Sequence, residues 1–253
     1  MNAYTATPIV AGLPVKSSTH GSFGWSSVWM LRSADRIVVM DTGGPAYVPV
    51  LHERLAAHGL ALGDVTDLLL THAHWDHCAN FTLFDRARVW IGDDELAWAR
   101  RQVPGTHFLS ELHVAELARR QDRDDGGLVT VTDEHEILPG IRALRVPGHT
   151  PGHLALRVDT SDGVLLFAGD SVKNIRELGT ATADLTMDEA ASRTSIARLR
   201  DLMRTDDALL VPGHDAPLRA DGDRLARTEP AAAQITFFGT ADSPGVDRSI
   251  RST

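Results

Sequence analysis

One short stretch, LLLTHAHWDHCAN at residues 68–80, constrains this chain more than any other part of its sequence. Three leucines lead into a group of ligand-type residues, which are His72, His74, Asp76 and His77. The apolar run predicts a short buried strand, and residues two apart in an extended segment point to the same side. The first two histidines can therefore approach one ion, and a turn after them directs the other two side chains to a neighbouring position. Imidazole nitrogen and carboxylate oxygen bind zinc and similar divalent ions, so the stretch predicts a metal site.

Short apolar runs of the same kind recur along the chain, and polar residues follow each of them. The runs are Arg36–Met40, Leu68–Leu70, Ile141–Val146, Val164–Phe167 and Ala208–Val211. Patterns typical of helices lie between these runs, the clearest over Met187–Met203, where Ile196, Leu199 and Met203 share one face. This alternation predicts an α/β protein, in which sites commonly form at the carboxyl ends of strands.

The size and charge of the chain limit its organisation and its partners. A length of 253 residues and a hydrophobic content of 43% support one substantial core, in one large domain or a fused pair of half-domains. We predict a single domain over residues 1–239 and a flexible tail over residues 240–253, which are polar and contain glycine and proline. The net charge of −9 argues against a nucleic-acid partner, because such a partner requires a basic stripe.

The sequence also bears on where the protein acts. No apolar run approaches the length of a membrane-spanning helix, and the first residues lack the pattern of a secretory signal. Cys78 is the only cysteine, so an intramolecular disulfide is impossible, which fits a reducing compartment. We therefore predict a cytoplasmic protein that acts on a small molecule without a membrane. The sequence leaves a homodimer open.

THAHWDH resembles the HxHxDH signature of the metallo-β-lactamase superfamily, and the other motifs of that family have counterparts in the same order. These counterparts are Asp41 in DTGG, His149 in PGHTPGH, Asp170 in AGD and His214 in PGHD. The resemblance implies a four-layer αβ/βα sandwich whose site lies at the edge between two β-sheets. It covers most of the chain, from Asp41 to Asp215.

The resemblance also implies a ligand set for two divalent ions. One ion would bind His72, His74 and His149, and the second would bind Asp76, His77 and His214. Asp170 would bridge the two ions together with a water or hydroxide. These ligands suit zinc best, and manganese, iron and cobalt are compatible with them. His153 follows His149 by four residues but begins an apolar strand, so we expect it to orient other groups rather than bind metal.

The implied reaction is hydrolysis, in which the bridging hydroxide attacks the carbonyl of an ester, lactone, thioester or amide. Asp76 or Asp170 would carry the proton to the leaving group. Asp41 stands in a turn that suits a carboxylate accepting backbone N–H groups, so we expect it to support a ligand loop. Trp75 either lines the pocket or packs beneath it.

Two segments are predicted to cover the site and to determine its specificity. The first is the Gly- and aromatic-rich loop Ser17–Trp25, in which Trp25 is a candidate for contact with substrate. The second is Val103–His113, which has the composition of a lid.

The nearest branch of the superfamily is that of the N-acyl-homoserine-lactone lactonases, with one clear departure. Those lactonases carry a tyrosine three residues after the bridging aspartate, and this chain has Lys173 there. Lys173 is predicted to polarise a carbonyl or to hold an anionic group of the substrate, although a solvated loop position is an equal alternative.

Other reactions of the family stay open. They are a thioesterase of the glyoxalase II type, a β-lactam hydrolase and, in a different class, a mononuclear iron dioxygenase acting on a persulfide. The glyoxalase II enzymes usually carry a larger helical C-terminal region, and a true β-lactamase is normally exported. The complete second ligand group argues for two ions, and therefore against the mononuclear dioxygenase.

Overall fold

A computed structural model describes residues 3–123, 126–222, 224–238 and 245–252. The strands in chain order are β1 (Thr5–Val10), β2 (Lys16–Ser17), β3 (Gly21–Ser22), β4 (Val28–Arg32), β5 (Ile37–Met40), β6 (Asp67–Leu69), β7 (Arg88–Gly92), β8 (Leu128–Val131), β9 (Glu136–Leu138), β10 (Ile141–Arg145), β11 (Leu154–Thr160), β12 (Gly163–Gly169), β13 (Leu209–Pro212), β14 (Leu218–Asp221), β15 (Arg224–Arg227), β16 (Ala232–Phe237) and β17 (Val246–Arg251). The α-helices are α1 (Val48–Ala57), α2 (Trp75–Cys78), α3 (Asp93–Ala99), α4 (Glu111–Gln121), α5 (Ile175–Thr180) and α6 (Glu189–Thr205).

Two large sheets form the two inner layers of the fold. The first has the strand order β1-β4-β5-β6-β7-β8, and the second has the order β15-β14-β13-β12-β11-β10-β9. Met40 and Leu69 of the first sheet share one apolar core with Phe167 and Val211 of the second. Helices α1, α3 and α4 cover the outer face of the first sheet, and α5 and α6 cover that of the second. The predicted four-layer αβ/βα sandwich is therefore confirmed.

Burial on both faces explains why the apolar runs are continuous rather than alternating. Successive side chains of a strand point to opposite faces. Leu68 accordingly packs in the core beneath the helices, and Leu69 packs in the core between the sheets. Val38 and Val39 divide in the same way, with Val38 between the sheets and Val39 under the helices.

Parallel pairing brings the ends of distant strands to one edge of the sandwich. Strands β5 and β6 pair in parallel, with Val39 opposite Leu68, and β12 and β13 pair in parallel, with Leu166 opposite Leu210. Because parallel strands end on the same side, each pair ends at one edge of its own sheet, and the contact of His77 with Asp170 shows that these two edges lie together. The predicted strand Leu68–Leu70 corresponds to β6, which ends at Leu69, so the histidines after it lie in a loop rather than in extended strand.

The predicted helix over Met187–Met203 begins and ends two residues later, as α6. Asp188 caps it by accepting a hydrogen bond from the N–H of Ala191 at 2.9 Å, which satisfies one of the free donors of the first turn. The residues expected to share its apolar face, Ile196, Leu199 and Met203, are all buried against the second sheet.

Residues 240–253 differ from the expected tail where the structure describes them. Strand β17 (Val246–Arg251) pairs antiparallel with β16 in a separate two-stranded ribbon. Residues 240–244 and 253 lie outside the described residues, and the division at residue 239 stays a prediction. Among the described helices, none is long and apolar enough to span a lipid bilayer.

Replacing Leu199 by alanine tests the packing of α6 on the second sheet. The Leu199 side chain is fully buried, so its loss leaves a cavity and should lower the free energy of unfolding by about 2–5 kcal/mol. Urea denaturation followed by circular dichroism measures this loss. Arg193→Ala on the exposed face of the same helix is the matched control, and it should change the free energy by less than about 0.5 kcal/mol. Equal effects of the two substitutions would contradict the packing described here.

Candidate metal centre

The seven residues predicted as metal ligands lie together at the edge where the strands end. Their potential ligand atoms form three overlapping groups, each with all its atoms within 4.8 Å of one another. The groups are His72 with His74 and His149, His72 with His77 and Asp170, and Asp76 with His77 and His214. The loop after β6 and the short helix α2 supply four of the seven, and His74 is the N-cap residue of that helix.

Asp170 lies between the other ligand-type side chains, just after the end of β12. Its Oδ1 atom is 3.1 Å from Nε2 of His77 and 3.2 Å from Nε2 of His214. Its Oδ2 atom is 3.4 Å from Nε2 of His149. The carboxylate therefore faces both sides of the cluster, one oxygen toward each.

Hydrogen bonds on the outer side of the cluster orient three of the rings. The Nδ1 atom of His77 is 2.8 Å from Oδ2 of Asp41, and Nδ1 of His149 is 3.0 Å from the carbonyl oxygen of Leu185. Nδ1 of His72 is 3.0 Å from Oγ1 of Thr71. Because each Nδ1 has an acceptor on the outer side, each ring directs its Nε2 atom toward the centre.

Asp41 links the rings of His77 and His72 through hydrogen bonds on their outer side. Its Oδ1 atom accepts the backbone N–H of Thr71 at 2.8 Å, and its Oδ2 atom accepts the Thr71 hydroxyl at 2.8 Å. The Thr71 hydroxyl can then accept the proton on Nδ1 of His72. Asp41 is fully buried and is not a member of any of the three ligand groups. It contacts His77 directly and His72 through Thr71.

One buried ring nitrogen in the cluster, Nε2 of His72, has no hydrogen-bond partner among the described residues. The Oδ1 atom of Asp170 contacts the Nε2 atoms of His77 and His214, which are themselves ligand-type atoms. Buried polar atoms are normally satisfied, so an orphaned ring nitrogen among other ligand-type atoms requires an explanation. A divalent cation supplies it, because five imidazoles and two carboxylates are a suitable donor set for such an ion. The residues present therefore fit a metal site.

The protonation of the rings differs between the two sides of the cluster. Burial, with a further contribution from neighbouring histidines, holds the pKa of His72 and of His149 well below the usual value, and burial lowers the pKa of His74 to about 4. Burial also opposes the charged form of His77 and His214, but the nearby carboxylates, chiefly Asp170, outweigh it and raise the pKa of both rings. Burial therefore favours the neutral form of His72, His74 and His149, and the carboxylates favour the protonated form of His77 and His214.

A cavity of about 520 Å³ opens beside the cluster and contains two of the three residues predicted to contact substrate. Trp75 and Lys173 line it, together with Phe108 of the segment Val103–His113. Trp25 does not line it within the described part of the chain and instead stacks on Phe23, with ring centroids 4.8 Å apart. The loop Ser17–Trp25 overlaps the small hairpin of β2 and β3, which begins at Lys16, so it is more regular than the sequence indicated.

Contacts around Lys173 fix its ammonium group at the cavity wall. Its Nζ atom donates to the carbonyl oxygen of Asp184 at 2.7 Å and lies 3.6 Å from Oε1 of Glu177. Glu177 also accepts the backbone N–H of Lys173 at 2.7 Å. An ammonium group has three donors, and Lys173 is therefore held in place with donor capacity left for a ligand.

Sequence reasoning missed one buried group at the site and anticipated another. Glu95 in α3 accepts N–H groups from two ligand-bearing loops, and these contacts span 22 and 57 residues, so no local pattern could indicate them. His153 is buried, and its Nε2 atom accepts the backbone N–H of Asp170 at 3.1 Å. His153 is outside all three ligand groups, as the sequence analysis expected of it.

Comparison with known proteins agrees with this geometry. Residues 22–214 match the family model of the Metallo-beta-lactamase superfamily. Metallo-beta-lactamase domain-containing protein 1 of Homo sapiens is 30% identical over 207 residues, which are 81% of this chain and 67% of the human protein. An N-acyl homoserine lactonase of Bacillus sp. is 23% identical over 153 residues, 60% of this chain and 56% of that one. The chain thus spans about two thirds of the length of the first relative and just over half that of the second.

A solved structure gives the same result for the fold. The crystal structure of a mutant of the B. thuringiensis protein AiiA, with N-decanoyl-L-homoserine bound at its active site, has a TM-score of 0.67 at 19% identity. The match covers 85% of this chain and 94% of that one. The sandwich and its histidine-rich edge are those of a metal-dependent hydrolase. The chain belongs to the metallo-β-lactamase superfamily.

The pKa shifts predict that the two sides of the cluster release different numbers of protons when metal binds. A ligand must be deprotonated to bind an ion. At pH 7, binding to the raised-pKa rings His77 and His214 should release protons, and binding to His72, His74 and His149, whose pKa values are lowered, should release none. Calorimetric zinc titrations in buffers of different ionisation enthalpy measure the number. As the pH falls, affinity should decline first at the side that contains His214. Equal proton release at both sides would contradict the assignment.

Proposed function

We propose that this protein is a dinuclear metal-dependent hydrolase that opens the carbonyl–oxygen bond of a small ester or lactone carrying an anionic group. The observation that carries the proposal is the placement of Asp170 between two complete groups of potential ligands. One oxygen of Asp170 faces His77 and His214, and the other faces His149. An arrangement for a single ion would need only one of these groups.

The residues divide into two sets in this proposal. The first ion would be held by His72, His74 and His149, and the second by Asp76, His77 and His214, with Asp170 shared. When bound, two such ions lower the pKa of water towards neutrality and polarise a carbonyl oxygen. Zinc is the ion that the donor set favours, and manganese, iron and cobalt are alternatives.

Asp76 and Asp170 have different positions for moving a proton. Asp76 is partly exposed and lines the cavity, with its Oδ2 atom 3.4 Å from Nε2 of His214. Its position at the cavity wall suits the transfer of a proton to the leaving oxygen. Asp170 is buried, and the charges of His214 and His77 overcome the effect of burial and hold its pKa well below the usual value. Asp170 therefore stays ionised, which favours a ligand role.

The cavity wall supports the proposed substrate class. Its apolar side chains include Leu13, Val15, Phe108 and Leu185, which suit the hydrocarbon part of a small molecule. Lys173 supplies a fixed positive charge, which suits an anionic group. Trp75 lies between the two ligand groups in sequence and packs against Gly24, so it both lines the pocket and supports the loop above it.

The named activity of the similar proteins supports a lactone rather than another acyl substrate. Lactonases stand among the curated relatives and among the similar structures. Lys173 in place of the lactonase tyrosine supports a substrate that differs from theirs in its charge. A small-molecule substrate with no nucleic acid and no membrane, a cytoplasmic location and a homodimer remain proposals from the sequence.

A substrate panel on the zinc- and manganese-reconstituted protein tests the proposal. The panel compares lactones, aryl esters, thioesters and a chromogenic β-lactam, and metal content is measured on the same samples. We expect lactones and esters to be turned over and two ions to be bound. Asp170→Ala should lose metal and reduce kcat/KM by more than about a hundredfold, beyond the loss typical of residues that only support ligands.

Three results would contradict the proposal. The first is an Asp170→Ala protein that keeps both ions and full turnover. The second is a strong thioester preference without lactone turnover, which would favour the glyoxalase II type of reaction. The third is one bound iron with an electron paramagnetic resonance signal and oxygen consumption on a persulfide, which would favour the dioxygenase.

Lys173→Met tests the anionic group separately. For a lactone that carries a carboxylate, KM should rise about tenfold, equivalent to about 1.4 kcal/mol, while kcat changes little, because the charge contributes binding rather than chemistry. A neutral lactone of the same size should be nearly unaffected. Arg176→Met is the matched control, since Arg176 is exposed and does not line the cavity in the described part of the chain. The same KM for both lactones with Lys173→Met would exclude this role.

A further inference from the structure

One buried carboxylate joins the two loops that carry the first group of potential ligands. The Oε1 atom of Glu95 accepts the backbone N–H of Ala73 at 3.0 Å, and its Oε2 atom accepts the backbone N–H of Gly152 at 3.2 Å. Ala73 lies between His72 and His74 in the chain, and Gly152 follows His149 by three residues. Each oxygen of one side chain is therefore bonded to a different ligand loop.

Glu95 has no cationic partner within the described residues. Its side chain is fully buried, and no lysine, arginine or histidine forms an ion pair with it there. Burial of an unpaired carboxylate is unfavourable, and a buried amide side chain could not satisfy both donors, because its NH₂ group accepts nothing. Only a carboxylate of this length offers an acceptor to each of the two loops.

The backbone around Glu95 packs closely on one of the two loops, the loop that follows His149. A Cβ atom on Gly152 would lie 1.9 Å from the backbone nitrogen of Glu95, and one on Gly92 would lie 2.3 Å from the carbonyl oxygen of Gly152. The first turn of α3 thus packs directly on the loop that follows His149. A small displacement of Glu95 would be transmitted to both ligand loops.

We propose that Glu95 is a positioning residue that sets the distance between the His72–His74 loop and the His149 loop. The inference rests on the proposed dinuclear site and assigns a selective effect within it. Asp76 and His214 form no hydrogen bond with Glu95, and His77 is held by Asp41 instead. Loss of the Glu95 carboxylate should therefore weaken one ion much more than the other.

The test is calorimetric titration of the metal-free full chain with zinc alone. Glu95→Gln keeps the size of the side chain but can accept only one of the two N–H groups. It should weaken the binding step of the first ligand group about tenfold or more, the range seen when supporting residues of metal ligands are replaced, and change the other step by less than about threefold. His149→Ala identifies the step that belongs to the first group, because that step is lost.

Two further variants separate positioning from general stability. Asp67→Asn removes another buried carboxylate, which bonds Arg36 and Trp90 on the same sheet and contacts no ligand loop, so it should lower Tm without changing either zinc affinity. Asp41→Asn, in contrast, should weaken both steps, because Asp41 contacts His77 directly and His72 through Thr71. If Glu95→Gln does not fold, Glu95→Asp keeps the charge but is too short to reach both loops, and the same selective weakening is expected.

The outcomes distinguish this inference from the proposed function. Equal weakening of both steps, or unchanged zinc affinity with a lowered Tm, would assign Glu95 a purely structural role and overturn the inference. A wild-type protein that binds a single ion would contradict the dinuclear proposal. In that case, His149→Ala should remove the single binding step. Weaker zinc binding at that step in Glu95→Gln would still support the positioning role of Glu95, and an unchanged zinc affinity would overturn that role.

Discussion

The carboxylate of Asp41 is the interaction on which the arrangement of the centre depends. Its two oxygens receive the backbone N–H and the hydroxyl of Thr71 and the ring of His77, all at 2.8 Å. Asp41 has a left-handed backbone conformation, with φ of 53°, which directs the chain sharply away from β5. The end of one strand is thereby joined to the ligand loop of its neighbour, and the two rings that Asp41 influences, His72 and His77, belong to different ions in the proposed ligand assignment.

The sandwich supplies the rest of the centre by bringing a second sheet to the same edge. Strands β12 and β13 end beside β5 and β6, so that Asp170 and His214 face the loop after β6. Glu95 and Asp41 contact different parts of the centre: Glu95 bonds the two loops of the first ligand group, and Asp41 bonds Thr71 and His77. The inner surface of the site is therefore set by buried carboxylates that are themselves outside the ligand groups.

Sequence reasoning was most accurate where the signal was local. The apolar runs before Asp41, His72, Asp170 and His214 are strands, because burial on both faces requires continuous apolar residues, and such runs are recognisable in one sequence. It was less accurate where the outcome depends on packing. The strand β6 stops before the histidines, residues 246–251 form a paired strand rather than a loose tail, and Trp25 turns to stack on Phe23 instead of lining the cavity.

By itself, the sequence determined the class of fold and the residues that gather at its edge. The reason is that the short ligand motifs follow continuous apolar runs, and such runs identify buried strands. Only the tertiary structure decided how those residues are held. Glu95 bonds to loops 22 and 57 positions away, and Lys173 is fixed by the carbonyl of Asp184 and the carboxylate of Glu177. Such contacts depend on where separate elements meet. A hydrogen bond also requires a specific distance and angle, and no repeating residue pattern indicates that two residues so far apart in sequence will satisfy them.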